Sequence, residues 1–117
     1  VYLIYGIYYC FNAVTNQEGI GEAVLIRALE PIEGIELMKA NRKKEKIKEL
    51  CSGPAKLTMA MGINIYHNGI DLTNSNLYIT DKKVDEPIHI TTRIGISVGT
   101  DLPYRYYLKD NIFISKK

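Results

Sequence analysis

The apolar positions of this chain change their period twice. From Val1 to Thr15 they run almost unbroken, and the opening VYLIYGIYYCFN holds four tyrosines, one glycine and no charge. Val, Ile, Tyr and Phe favour a pleated surface, so the stretch predicts strand. Gly6 is the one residue there that accepts a positive φ cheaply, which predicts a tight reversal at Tyr5-Gly6-Ile7. NQEGIG (residues 16–21) carries turn chemistry and AVLIRA (23–28) is another apolar strand, giving two adjacent hairpins with antiparallel pairing.

A helical period follows. Leu29-Glu30-Pro31 predicts a helix start, with Pro31 in the first turn and Glu33 and Glu36 near the positive end of the dipole. Ile32, Ile35, Leu37, Met38 and Ile47 form its buried face. A second helix is expected over GPAKLTMAM (53–61), with Ser52 available as N-cap, Pro54 in the first turn and Gly62 as C-cap. Asn68-Gly69 marks a turn in a loop-rich stretch. Strand patterns return at Leu77–Thr80, at Ile88–Val98 with Gly95 allowing a close approach or a bulge, at Tyr104–Leu108 and at Ile112–Ile114. The sum is one α+β domain over residues 1–117: an antiparallel β-sheet core, a protruding β-hairpin and flanking helices.

The remaining bulk properties exclude more than they assign. At 117 residues with 46 % hydrophobic and 24 % charged side chains, the chain has an ordinary globular balance. Cys10 and Cys51 form no CxxC pair and no Cys/His cluster, so no metal and no cofactor are expected. No apolar run approaches 18 residues, so no membrane partner is expected, and an intracellular location follows (cytoplasm or nucleoid in a prokaryote). The chain opens at Val1 inside a strand pattern, from which an upstream segment is expected. The net charge of +2 is small, but Lys39, Arg42, Lys43, Lys44, Lys46 and Lys48 crowd around a single acid, Glu45. Such a run is either a solvated helix face or a phosphate-facing patch.

Read as residues alone, the chemistry stays open. Tyr2 and Tyr5 are core or edge-strand aromatics by default, and Asn12 is a strand-end or turn residue. Arg27, set inside an apolar strand, needs partners, and Glu30 or Glu33 would supply a structural ion pair. Ser52 and Lys56 around Gly53-Pro54 fit a phosphate at a helix N-terminus or ordinary capping. His67 and His89 have no partners by spacing and read as surface or loop residues.

Five segments taken together go further: YLIYGIYYCFNAVT, EAVLIRALEPIEGIELM, LCSGPAKLTMAMGI, TRIGISVG and LPYRYYLKDNIFIS. In order and content they closely resemble the alkyladenine (3-methyladenine) DNA glycosylase family, over nearly the whole chain. The resemblance implies a monofunctional, metal-free base-excision enzyme, acting as a monomer on double-stranded DNA containing damaged purines. Such an enzyme flips the base out and hydrolyses its N-glycosidic bond with an activated water.

On the matching positions, Tyr5 is implied to be the wedge that fills the vacated stack through the minor groove, with Gly6 making the hairpin tip and Ile7 beside it. Tyr2 is implied to stack on the flipped base. Asn12 would discriminate among purines, and Cys10 and Leu25 would lie near the tip or the pocket wall. Arg27 and the backbone carbonyl of Ile94 would position the water, and on the phosphate reading above Lys56 would face the DNA.

The family's general-base glutamate lies upstream of the tyrosine hairpin and has no counterpart here. Glu18, Glu22, Glu30, Glu33 and Glu36 match no catalytic position. The chain is therefore expected to be the C-terminal part of a longer glycosylase or a non-catalytic, damaged-DNA-binding relative. A third reading makes the Tyr-rich hairpin a protein-interaction edge.

Overall fold

The computed structural model describes residues 1–4, 8–15, 22–80, 82, 85–92 and 103–114. They divide into two compact units, Val1–Thr80 with Phe113–Lys117, and Asp81–Ile112. The class is α+β, and among the described residues every ladder is antiparallel.

In the first unit β1 (Tyr2–Ile4) pairs with β2 (Tyr8–Cys10), setting Tyr2 opposite Cys10, Leu3 opposite Tyr9 and Ile4 opposite Tyr8. The predicted reversal at Tyr5-Gly6-Ile7 lies outside the described residues, between the paired ends Ile4 and Tyr8. One residue later the chain enters β3 (Asn12–Val14), which pairs with β4 (Ala23–Leu25) in the register Asn12–Leu25, Ala13–Val24, Val14–Ala23. The two hairpins thus share residues 8–14, with Phe11 as the joint. The Ile26 N–H donates to the Phe11 carbonyl at 3.0 Å, which carries the second ladder up to that joint.

Phe11 also joins the strands to the core. Its side chain is buried with Leu50, Cys51, Leu57, Ala60 and Ile63, and Ile26, Leu29, Ile35 and Met38 pack around them. Most of this cluster comes from helix α2 (Pro54–Met61) and the residues that flank it. Helix α2 starts without a side-chain cap: Gly53, extended at φ −163°, occupies the N-cap place expected of Ser52. Pro54 follows at the first helical position, where its missing N–H costs nothing. The C-cap is as predicted. Gly62 is left-handed at φ 69°, a conformation in which any Cβ is strained, and its N–H turns back onto the Met59 carbonyl.

Helix α1 (Ile35–Arg42) corrects the expectation of a start at Pro31. Gly34, left-handed at φ 71°, stands at its N-cap and breaks any helical path from Pro31. The residues before it dock instead, with the Leu29 N–H donating to the Cys51 carbonyl at 3.0 Å and Pro31 buried. The helix stops at Lys43, also left-handed (φ 55°), so Ile47 falls in a separate single turn, Ile47–Glu49, and not on the α1 face. The Asn41 amide donates to the Ala60 carbonyl at 2.9 Å, tying α1 to α2.

No strand forms at Leu77–Thr80 or Ile112–Ile114. The first of these stretches is held by the Ile79 N–H, which donates to the Leu72 carbonyl at 2.8 Å. The second unit contains β5 (Ile88–Thr91) and β6 (Arg105–Leu108), in the register Ile88–Leu108 to Thr91–Arg105. The rest of the strand predicted to reach Val98 lies outside the described residues.

Leu57 has no exposed surface, whereas Met59, two residues on, is 44 % exposed. Leu57→Ala is expected to lower the unfolding free energy by about 2–5 kcal/mol, and Met59→Ala by under about 1 kcal/mol. Equal losses in urea titrations of the two variants would contradict this placement of the core.

Candidate nucleic-acid interface

The two N-terminal ladders bring together four of the residues singled out in the sequence. Tyr2 stands opposite Cys10 in the first, and Asn12 opposite Leu25 in the second. Cys10 and Asn12 are two residues apart on the shared segment. Arg27 follows Leu25 by two residues, just past the bond between Ile26 and Phe11. Asn12, Leu25 and Arg27 are half-buried, and Cys10 is buried, with 4 % of its surface exposed. Neither Arg27 nor Glu30 is without a partner. Tyr5, Gly6, Ile7 and Ile94 lie outside the described residues.

Helix α2 braces this strand segment from behind. The Thr58 hydroxyl, 1 % exposed, lies 3.0 Å from the Tyr9 carbonyl and 2.9 Å from the Ala55 carbonyl. Its single proton is shared between the helix's own backbone and the strand. Sequence reading missed Thr58, because a threonine inside KLTMAM gives no sign of which strand it will meet. Lys56, on the same helix, is exposed. Its aliphatic stem passes over Gly53, where an added Cβ would meet the Lys56 Cδ at 3.4 Å.

The lysine-rich segment resolves into different roles. Arg42 does not belong to an open cationic face: its Nε donates to the Leu50 carbonyl and its Nη2 to the Glu49 carbonyl, each at 3.1 Å. These bonds close the Ile47–Glu49 turn and set a positive charge near Cys51. Burial pushes the Cys51 thiol up, and Arg42 partly opposes that. Lys39 reaches Glu36 at 3.4 Å, one helical turn away. Lys43, Lys44, Lys46 and Lys48 are exposed.

The histidines also separate. His67 does have a partner: the Asn64 N–H donates to its Nδ1 at 3.1 Å while the Asn64 side chain accepts from the Tyr66 N–H at 2.9 Å. This is a reciprocal cap on the turn Ile65–His67. The N-x-x-H spacing carried that signal, with His in the place Glu usually takes. Among the described residues no group of His, Cys, Asp and Glu could hold a metal ion, and no helix is long and apolar enough to cross a membrane.

The first unit thus sets paired strands carrying aromatic, amide and guanidinium residues against a bracing helix, with exposed lysines elsewhere along the chain. Residues 1–112 match the methylpurine-DNA glycosylase (MPG) family. Proteins named "Putative 3-methyladenine DNA glycosylase" align with the whole chain at 57 % identity in Francisella tularensis subsp. tularensis, 54 % in Carboxydothermus hydrogenoformans and 45 % in Methanoculleus marisnigri. The chain spans 63 %, 63 % and 64 % of the length of these three relatives. The chain belongs to the methylpurine-DNA glycosylase family.

Thr58→Val keeps the shape but removes the only proton offered to the Tyr9 carbonyl from α2. It is expected to cost about 1–2 kcal/mol and to speed amide exchange across Tyr8–Cys10, while Thr58→Ser restores the protection. Unchanged exchange there in Thr58→Val would show that the helix does not brace the hairpin.

Proposed function

We propose that this chain supplies the damage-recognition part of a base-excision DNA glycosylase, which flips alkylated or deaminated purines out of duplex DNA and hydrolyses their N-glycosidic bonds. The observation that carries this reading is the family match over residues 1–112, supported by the pairing of Tyr2 with Cys10 and of Asn12 with Leu25.

The chemistry needs a filler for the emptied stack, a platform for the extruded base, polar groups to read its edge and a held water. Tyr5, between the paired ends of β1 and β2, is the filler. Tyr2 is the platform, on which an electron-poor alkylated purine stacks well. Asn12 reads the purine edge, beside the wall formed by Cys10 and Leu25. Arg27 and the Ile94 carbonyl hold the water. No acid of this chain is assigned as the base that takes the water's proton. On its own, the chain therefore binds damaged duplex but does not release bases at an enzyme's rate. It acts as a monomer, within the cell.

One observation favours the runner-up, a protein-interaction edge. Leu3, Tyr8, Val14 and Val24 on the two hairpins are 41–71 % exposed and apolar. Salt separates the two readings, because duplex binding weakens steeply as salt rises and apolar association does not.

The test is fluorescence anisotropy of a hypoxanthine-containing duplex titrated with the chain at several salt concentrations. Salt-dependent binding is expected, weakened about tenfold in Tyr5→Ala, the loss that follows from removing one stacking ring. Absence of duplex binding would overturn the reading. Base release by the chain alone would overturn the assignment of the general base to a place outside it.

A further inference from the structure

The strand pair of the second unit holds a cation that the recognition site above does not use. Cross-strand pairing puts His89 beside Tyr107 and Thr91 beside Arg105 on one face, with Ile88, Ile90, Tyr106 and Leu108 on the other. Arg105 is 8 % exposed. Its guanidinium carbon lies 4.7 Å from the centre of the Tyr107 ring, and the His89 ring meets that same tyrosine at 4.9 Å, tilted by 46°. The guanidinium is thus seated on an aromatic ring that is itself braced from across the ladder.

Among the described residues, no carboxylate reaches Arg105 within ion-pairing distance. The described acids of its own unit, Asp85, Glu86 and Asp110, are exposed. Covering a cation without an anion is costly, and a cation–π interaction offsets only part of the cost. Yet no buried side-chain nitrogen or oxygen among the described residues lacks a hydrogen-bond partner. The guanidinium nitrogens of Arg105 bond to none of the described residues and therefore keep part of the 8 % of the residue that stays exposed. A planar fork of donors held in place on a ring, with its hydrogen-bonding capacity unspent, suits a bidentate anion.

A second cation extends the feature. Lys109 stands two residues beyond Tyr107, and its N–H donates to the Pro87 carbonyl at 2.8 Å, which prolongs the ladder. Arg105, Tyr107 and Lys109 therefore recur at the strand period of two. At a rise of about 3.3 Å per residue the two cations are anchored roughly 13 Å apart, far enough to meet different phosphates of one DNA strand. A lone carboxylate would satisfy Arg105 but leave Lys109 unused, whereas a backbone of repeating phosphates engages both.

We propose that Arg105, seated on Tyr107, and Lys109 form a phosphodiester-binding site for the duplex backbone. It is separate in sequence from the hairpin residues that read the base, and it rests on the DNA-binding reading above.

The experiment is the salt dependence of duplex binding by the full chain, for the unvaried protein, Arg105→Gln, Lys109→Gln and Tyr107→Phe. Removing one cation that neutralises a phosphate should flatten the log–log slope by about 0.9. The expected result is that drop in Arg105→Gln and in Lys109→Gln, with affinity about tenfold lower in the arginine variant, and no change in Tyr107→Phe, which keeps the ring. A purely structural arginine would leave the slope of any folded variant unchanged. Should Arg105→Gln fail to fold, the exposed Lys109→Gln decides: a flattened slope supports the site and an unchanged one overturns it. Unchanged slopes with salt-dependent binding by the unvaried chain overturn this site alone. No duplex binding by the unvaried chain overturns both this site and the reading it rests on.

Discussion

Phe11 is the point on which the paired strands of the first unit depend. Its ring is locked among Leu50, Leu57, Ala60 and Ile63, while its carbonyl accepts from Ile26 and so fixes the register of the second hairpin. A one-residue slip in either ladder would move every neighbouring side chain to the opposite face. With Phe11 pinned, Cys10 and Asn12 have no freedom to exchange faces, and Tyr2 and Leu25 are set by the strands that pair with them. The core thus acts on the site through register as much as through burial.

The elements around this joint are held by polar interactions within α2 and in the turn before it. Thr58 meets the strand, Asn41 of α1 meets the Ala60 carbonyl, and Arg42 closes the turn that delivers Leu50 and Cys51 to the core. Each replaces water on a backbone carbonyl with a protein donor, the condition for bringing irregular chain close to a packed interior. The second unit uses a different device, an arginine held by an aromatic ring in place of a carboxylate.

Much of the fold was legible in the sequence where one residue type settled the local geometry. The apolar run on either side of Gly6 gave paired strands, Pro54 and Gly62 bracketed α2, and Tyr104–Leu108 contained β6. Reading failed where two signals competed. Pro31 and its neighbouring acids pointed to a helix start, but Gly34 in the left-handed region overrode them; a glycine in EPIEGIEL can be a helix residue or a cap, and only its φ tells which. The lysine run was read as one surface, yet Arg42 leaves it for two carbonyls that no spacing rule connects to it. Of the site, the sequence supplied residue identities through the segments it shares with its family. The bracing by Thr58 and the seat of Arg105 depend on side chains meeting partners that no local pattern names.

On the proposed function, the strand segment pinned at Phe11 is the surface that meets damaged DNA. Hydrogen exchange of the backbone amides, with and without a hypoxanthine-containing duplex, tests it most directly. New protection is expected to concentrate in residues 2–14 and 23–27, with the buried turn of α2 around Leu57 unchanged. Protection confined to the lysine-bearing stretch 43–48, with the hairpins exchanging as freely as in the absence of DNA, would contradict it.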